Sequence, residues 1–203
     1  MTKKIITLSI AALMAMTAGA QTATKAKTIL DKTAAIVSNK SGASANFKIS
    51  GTKTGTMSGR IFIKGNKFKA TTPEASMWFN GSTQWTYMNN TEEVNVSSPT
   101  ESQQVQMNPY KFITLYKTGY ALSSKTLKGA YEVHLKATDN KRSIKEMYIT
   151  INSKTYLPSV VRMMQNGNWT TVNISNFKTE NLSDATFTFN PKEYPDAEII
   201  DLR

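Results

Sequence analysis

Residues 59–96, GRIFIKGNKFKATTPEASMWFNGSTQWTYMNNTEEVNV, decide the fold of this chain. Gly59, Ile61 and Ile63 alternate with Arg60, Phe62 and Lys64, the period of two that a strand requires. Gly65-Asn66 turns the chain into Phe68 and Ala70, and Pro73, which cannot donate to a ladder, ends that segment. Met77 to Phe79 follows, then Asn80-Gly81, a pair that accepts the positive φ of a hairpin turn. Trp85 to Met88 returns, Asn89-Asn90 turns again, and Val94 and Val96 close the run. The stretch predicts consecutive short antiparallel strands. It spends Phe62, Phe68, Met77, Trp78, Phe79, Trp85, Tyr87 and Met88 without placing a cysteine, a histidine or a spaced pair of carboxylates among them. Such a sheet is built to hold something apolar rather than to do chemistry.

Upstream of it, Phe47, Ile49 and Gly51 share a strand face, and Lys53-Thr54-Gly55 turns the chain into Met57. Before that, Ala26, Ile29, Leu30, Thr33 and Val37 recur at helical spacing, predicting one amphipathic helix over Thr24 to Ser38 that Asn39 and Gly42 end. A lone helix of this kind must lay its stripe on a sheet. Residues 1–20 read as an export leader: Lys3 and Lys4, an apolar run from Ile5 to Met16, and small residues Ala18-Gly19-Ala20 before a cleavage after Ala20. The apolar run is short of the roughly 20 residues a membrane span needs. The expected organisation is therefore a signal peptide, 1–20, and one exported domain, 21–203.

Downstream, Asn108-Pro109 opens a predicted short helix with Phe112, Ile113 and Tyr116 at helical spacing. Tyr131 to Lys136, Met147 to Ile151, Val160 to Met164 and Trp169 to Ile174 alternate as strands, and Phe187 and Phe189 predict a last strand before Pro191. The total is about ten strands and two helices, spaced like a curved antiparallel sheet or open barrel.

Chemistry is scarce. With no cysteine there are no disulfides, thiolate metal sites or cysteine nucleophiles. The one histidine, His134, sits on the polar face of a strand with no second ligand at metal spacing. No Gly-x-Ser-x-Gly elbow, phosphate loop or dinucleotide fingerprint occurs. Neither enzyme activity, a metal nor a cofactor is expected. The 25 Lys and Arg against 14 Asp and Glu favour anionic partners, but the lysines are scattered and carry no nucleic-acid signature.

At the level of motif order the chain resembles the LolA-like periplasmic lipoprotein carriers. The likeness rests on a leader, one helix, a strand pair, the segment Gly59-Arg60-Ile61-Phe62-Ile63-Lys64, the Phe68 strand and a Pro. Its most specific piece is the hairpin Met77 to Gly81 with Trp85-Thr86-Tyr87; Asn108-Pro109 and Phe187-Thr188-Phe189-Asn190-Pro191 follow in order. The resemblance implies an α+β fold, mainly β: an unclosed antiparallel barrel covered by an N-terminal helix and a short internal helix. It implies acyl chains of lipoproteins held in an apolar cup, with Ile61, Ile63, Phe68, Met77, Phe79, Trp85, Tyr87, Ile149 and Met163 as candidate contacts. Ile29, Leu30, Phe112 and Ile113 are candidate lid residues. The implied compartment is the periplasm, and the implied partners are acylated lipoproteins, an inner-membrane lipoprotein-releasing transporter and an outer-membrane acceptor, met by a monomer. Members of this family usually carry an Arg-Pro pair after the apolar strand, whose basic side chain latches the lid; here that place reads Lys64-Gly65-Asn66. The alternative is a lipid- or lipoprotein-sensing interaction module of the same fold. A structural envelope protein comes third, and an enzyme acting on envelope lipid or glycan last.

Overall fold

The structure is a computed structural model that describes residues 21–53, 55–100, 103–104 and 114–203. Twelve strands are present among them: β1 (Ala43–Gly51), β2 (Gly55–Lys64), β3 (Lys67–Thr71), β4 (Ala75–Phe79), β5 (Gln84–Met88), β6 (Glu93–Ser97), β7 (Tyr120–Leu127), β8 (Ala130–Ala137), β9 (Ile144–Asn152), β10 (Pro158–Gln165), β11 (Asn168–Thr179) and β12 (Glu198–Asp201). They form one sheet in the order β12-β6-β5-β4-β3-β2-β1-β11-β10-β9-β8-β7, so among the described residues β12 and β7 are the edges and the barrel is unclosed. Every neighbouring pair is antiparallel except β12, which runs parallel to β6. The quoted stretch supplies β3 to β6 and most of β2, with its hairpins turning at Gly65 (φ +58°) and Gly81 (φ +108°).

Helix α1 (residues 21–37) starts a turn earlier than the spacing predicts and ends at Val37, ahead of Gly42, which takes φ +108° just before β1. Its two halves pack on different parts of the same sheet face. Ala26, Ile29 and Leu30 are buried with Val133, Leu135, Met147, Ile149 and Ile151 of β8 and β9. Val37 is buried with Ala43, Ile63, Phe68 and Phe79. A third cluster, Trp78, Val94, Val96 and Phe189, lies apart from these two.

Several expectations need correction. β7 went unread because Ala121, Ser123, Ser124 and Lys125 interrupt its apolar residues; it pairs only with β8 and, as an edge, has no need of an alternating stripe. Phe187 and Phe189 are not a strand. Asp184–Phe187 is a 3-10 helix, and both rings are buried one at a time from an irregular segment. The last strand is instead β12. Of the predicted internal helix, Phe112 and Ile113 lie outside the described residues, and Tyr116 sits in a 3-10 turn, Leu115–Lys117. The expected leader, 1–20, also lies outside them.

Gly59 is where β2 has no room for a side chain. A Cβ there would meet the Thr71 carbonyl oxygen at 2.1 Å and the Phe47 ring at 2.7 Å. A glycine inside a strand commonly marks such a close approach of a second backbone. Gly59→Ala is expected to destabilise the fold by about 2 kcal/mol, because neither a backbone carbonyl nor a packed ring yields cheaply; urea unfolding checks it.

Candidate functional site

Residues directly opposite in paired strands point to the same face of a sheet, so the pairings show which side chains share the α1 face. One row crosses six strands: Met57 opposite Ile49, Ile49 opposite Val172, Val172 opposite Val161, Val161 opposite Ile149, and Ile149 opposite Val133. Its five steps span about 24 Å at the usual strand spacing. Its exposure is graded. Val133 and Ile149 are buried beneath α1, Val161, Val172 and Ile49 are half-buried, and Met57 is 38% exposed. Two further rows lie on this face, Ala45-Ile61-Ala70-Met77-Thr86 and Ala43-Ile63-Phe68-Phe79-Gln84. Apolar side chains thus continue beyond what the helix covers.

The sequence candidates divide between the faces. Ile61, Ile63, Phe68, Met77 and Phe79 stand on the α1 face with the cluster around Val37, and Ile149 and Met163 on the same face with the cluster around Leu30. Phe68 and Phe79 are in ring contact at 5.5 Å. Trp85 and Tyr87 are on the opposite face, since Trp85 pairs with Trp78 and Tyr87 with Val94. There the C-terminal segment covers them: Tyr194 lies 4.6 Å from Tyr87 and 5.7 Å from Trp78, ring to ring. Sequence reading missed Phe47, Ile49, Met57, Val161 and Val172 as members of the apolar face. Their alternation was visible, but only pairing ranks them with Ile149.

The helix is also fastened by polar contacts along one flank. The Tyr116 hydroxyl donates to Asp31 Oδ1 at 2.5 Å, and Lys27 pairs with the same carboxylate at 2.8 Å. The Thr33 hydroxyl donates to the Tyr156 carbonyl at 3.0 Å, and the Lys32 ammonium lies 4.5 Å over the Tyr156 ring. The Lys27 ammonium first, and the Tyr116 hydroxyl second, hold the Asp31 carboxyl below its ordinary value. Burial, then the bond to Asp31, raises the Tyr116 phenol. Lys64 does not reach the helix. It donates to the Leu182 carbonyl at 2.7 Å and pairs with Asp184 at 3.1 Å, so it ties down the C-terminal segment.

His134 is on the other face, 2.7 Å from Glu146 and stacked 4.3 Å from the Tyr148 ring. Among the described residues no group of three or more His, Cys, Asp or Glu could hold a metal ion. No helix among them is long and apolar enough to cross a membrane.

The sequence profile of the family described as outer membrane lipoprotein carrier protein LolA matches residues 16–168. The chain belongs to the LolA family. Among curated proteins none matches it. Among solved structures it is similar to an uncharacterized conserved protein from Thermus thermophilus, at 15% identity and a TM-score of 0.60, covering 87% of this chain and 99% of that one, which shows a common fold. It also overlays a LolA superfamily protein from Nitrosomonas europaea (13% identity, 81% and 97% covered, TM-score 0.45). A third overlay is with an outer membrane lipoprotein-sorting protein domain from Vibrio parahaemolyticus (12%, 82% and 97%, 0.47). Membership makes the chain a lipoprotein-binding or envelope-associated module. At the place that reads Lys64-Gly65-Asn66, Lys64 is committed to residues 182 and 184, while the contact of Tyr116 with Asp31 is made to α1.

Tyr116→Phe removes a hydrogen bond from a buried ring to a charged acceptor and is expected to cost about 1 kcal/mol in unfolding free energy. Asp31 has a lowered folded value. Its contribution is therefore complete above the unfolded-chain value near ~4 and is lost as pH falls through the folded one. The stability gap between the parent and Asp31→Asn should be open at neutral pH and close on acidification below that point, as thermal unfolding across pH would show.

Proposed function

We propose that this protein holds the acyl chains of lipoproteins on the α1 face of its open sheet and carries them through the periplasm from the inner to the outer membrane. The apolar row from Val133 to Met57 supports this most directly, because it runs from beneath the helix into a half-exposed stretch on the same face. Its length suits an extended alkyl chain laid across the strands. Each methylene withdrawn from water is worth about 0.8 kcal/mol, so ten of them supply roughly 8 kcal/mol, a micromolar affinity, before the cost of ordering. No sequence-specific contact is needed, which fits cargo of varied sequence.

Met57, Met77 and Met163 on this face are unbranched and deformable, suited to lipids of variable shape. Ile29 and Leu30 seal the Val133 end, both nearly fully buried. In this reading cargo enters at the Met57 end and extends inward as α1 lifts, with Phe112 and Ile113 as further lid candidates. Ile61, Ile63, Phe68 and Phe79 form the neighbouring wall. Trp85 and Tyr87, as core of the opposite face, take no part. Acylated lipoproteins are the cargo, and family membership favours a donor transporter in the inner membrane and an acceptor at the outer one.

The test is photo-crosslinking in living cells from probes at Ile49, Met77 and Trp85 in turn. Acylated lipoproteins should be captured from Ile49 and Met77 but not from Trp85. Capture from Trp85 alone, or free lipid without protein from any of them, would sink the carrier reading. In vitro, Ile49→Asp should weaken binding of a palmitoylated peptide about tenfold or more, since a carboxylate must then be buried beside the chain, while circular dichroism shows the fold intact.

A further inference from the structure

Charge is unevenly divided along the sheet. Residues 114–175, which hold β7 to β10 and most of β11, carry nine Lys and Arg against three Asp and Glu. Residues 190–203, which end in the edge strand β12, carry two against four. The molecule thus has a basic side at the β7 edge and an acidic side at the β12 edge, and such an asymmetry orients a protein in the field of a charged surface.

At one corner of the basic side three elements meet. The Ser153 amide donates to the Gly129 carbonyl at 3.0 Å, which brings the β7–β8 turn and the β9–β10 turn together. The first turns of α1 lie against them: the Ser124 hydroxyl donates to the Thr22 carbonyl and Lys25 to the Thr126 hydroxyl. Lys25 and Lys32 from the helix, and the exposed Lys128 and Lys154 from the two turns, stand at this corner. None of the four is in an ion pair among the described residues. Asp31 is held by Lys27 and Tyr116, and Glu132, opposite Lys125, is on the other face of the sheet. The Lys25 ammonium lies 5.4 Å over the Tyr131 ring and that of Lys32 4.5 Å over Tyr156, contacts that position the charges without neutralising them. Between helix and tyrosines runs a groove of about 360 Å³, bordered by Thr24 and Thr28.

We infer that this corner, the start of α1 with the β7–β8 and β9–β10 turns, is a docking surface for an anionic phospholipid bilayer. Lysines on flexible stems reach headgroup phosphates while their methylenes stay on the tyrosines. Tyrosine is at home at the headgroup level, where one end is apolar and the other wet. Several basic groups acting together are what hold a peripheral protein on an anionic leaflet. The inference concerns the surface rather than the cargo and stands whether or not acyl chains bind the sheet.

Vesicle flotation of the purified chain tests it, using phosphatidylcholine vesicles with and without phosphatidylglycerol. The protein should float only with the anionic vesicles at low salt and be released at about 0.5 M salt, where the screening length falls to a few ångströms. The double variant Lys128→Glu/Lys154→Glu should lower the partition coefficient about tenfold or more. The variant Lys48→Glu/Lys178→Glu changes net charge equally with exposed residues away from the corner and should stay within about threefold of the parent. Equal loss in both variants would mean that overall charge, not this corner, drives binding, and would overturn the inference. Equal flotation with neutral vesicles, or none with either, would overturn it as well.

Discussion

The width of a twelve-stranded sheet set against that of helix α1 is a mismatch of area, and the rest of the architecture depends on how it is met. Eleven interstrand steps make a surface about 50 Å wide, while a helix with its side chains is about 10 Å across. Helix α1 therefore cannot cover the face on which it lies. It seals two patches, one around Leu30 and one around Val37, and leaves the apolar rows between and beyond them half-buried. An apolar surface of this kind is kept from water by curvature, by another segment or by a ligand. Gly59, with a backbone carbonyl and a ring pressed against it, is one place where the sheet folds in on itself.

The opposite face solves the same problem differently. There the C-terminal segment lays Phe189 and Tyr194 on Trp78, Tyr87 and Trp85, and Lys64 and Lys67 hold Asp184. That side is filled by the chain itself, with aromatic rings at edge-on and tilted angles that pack densely. The two faces thus have different characters: one completed in cis, the other left with apolar surface under a helix held at its flank by a few polar contacts. Helix α1 is held by Ala26, Ile29 and Leu30 in the core over β8 and β9 and by hydrogen bonds such as Tyr116 to Asp31 at its flank.

Much of this was legible in residues 59–96. Asn80-Gly81 and Gly65-Asn66 are turns because only a few residues accept positive φ, and the strands they join follow from alternation. Helix α1 was legible from Ile29, Leu30, Thr33 and Val37 recurring at helical spacing. Trp85 and Tyr87 were legible as large buried side chains but not as members of a particular face. β12 was not legible at all, since a four-residue strand with exposed Ile199 has no pattern of its own and exists only by pairing with β6.

Period and turn chemistry are local properties, fixed by the residues that carry them, and so helix α1 and the strands of residues 59–96 were decided by the amino-acid sequence alone. Which face of each strand meets α1 is a different kind of property. A period of two is the same seen from either side of the sheet, and a shift of one residue in pairing exchanges the faces completely. Only the tertiary pairing of β1 with β11, and of β9 with β10, joins Met57, Ile49, Val172, Val161, Ile149 and Val133 into one row and sends Trp85 to the other side.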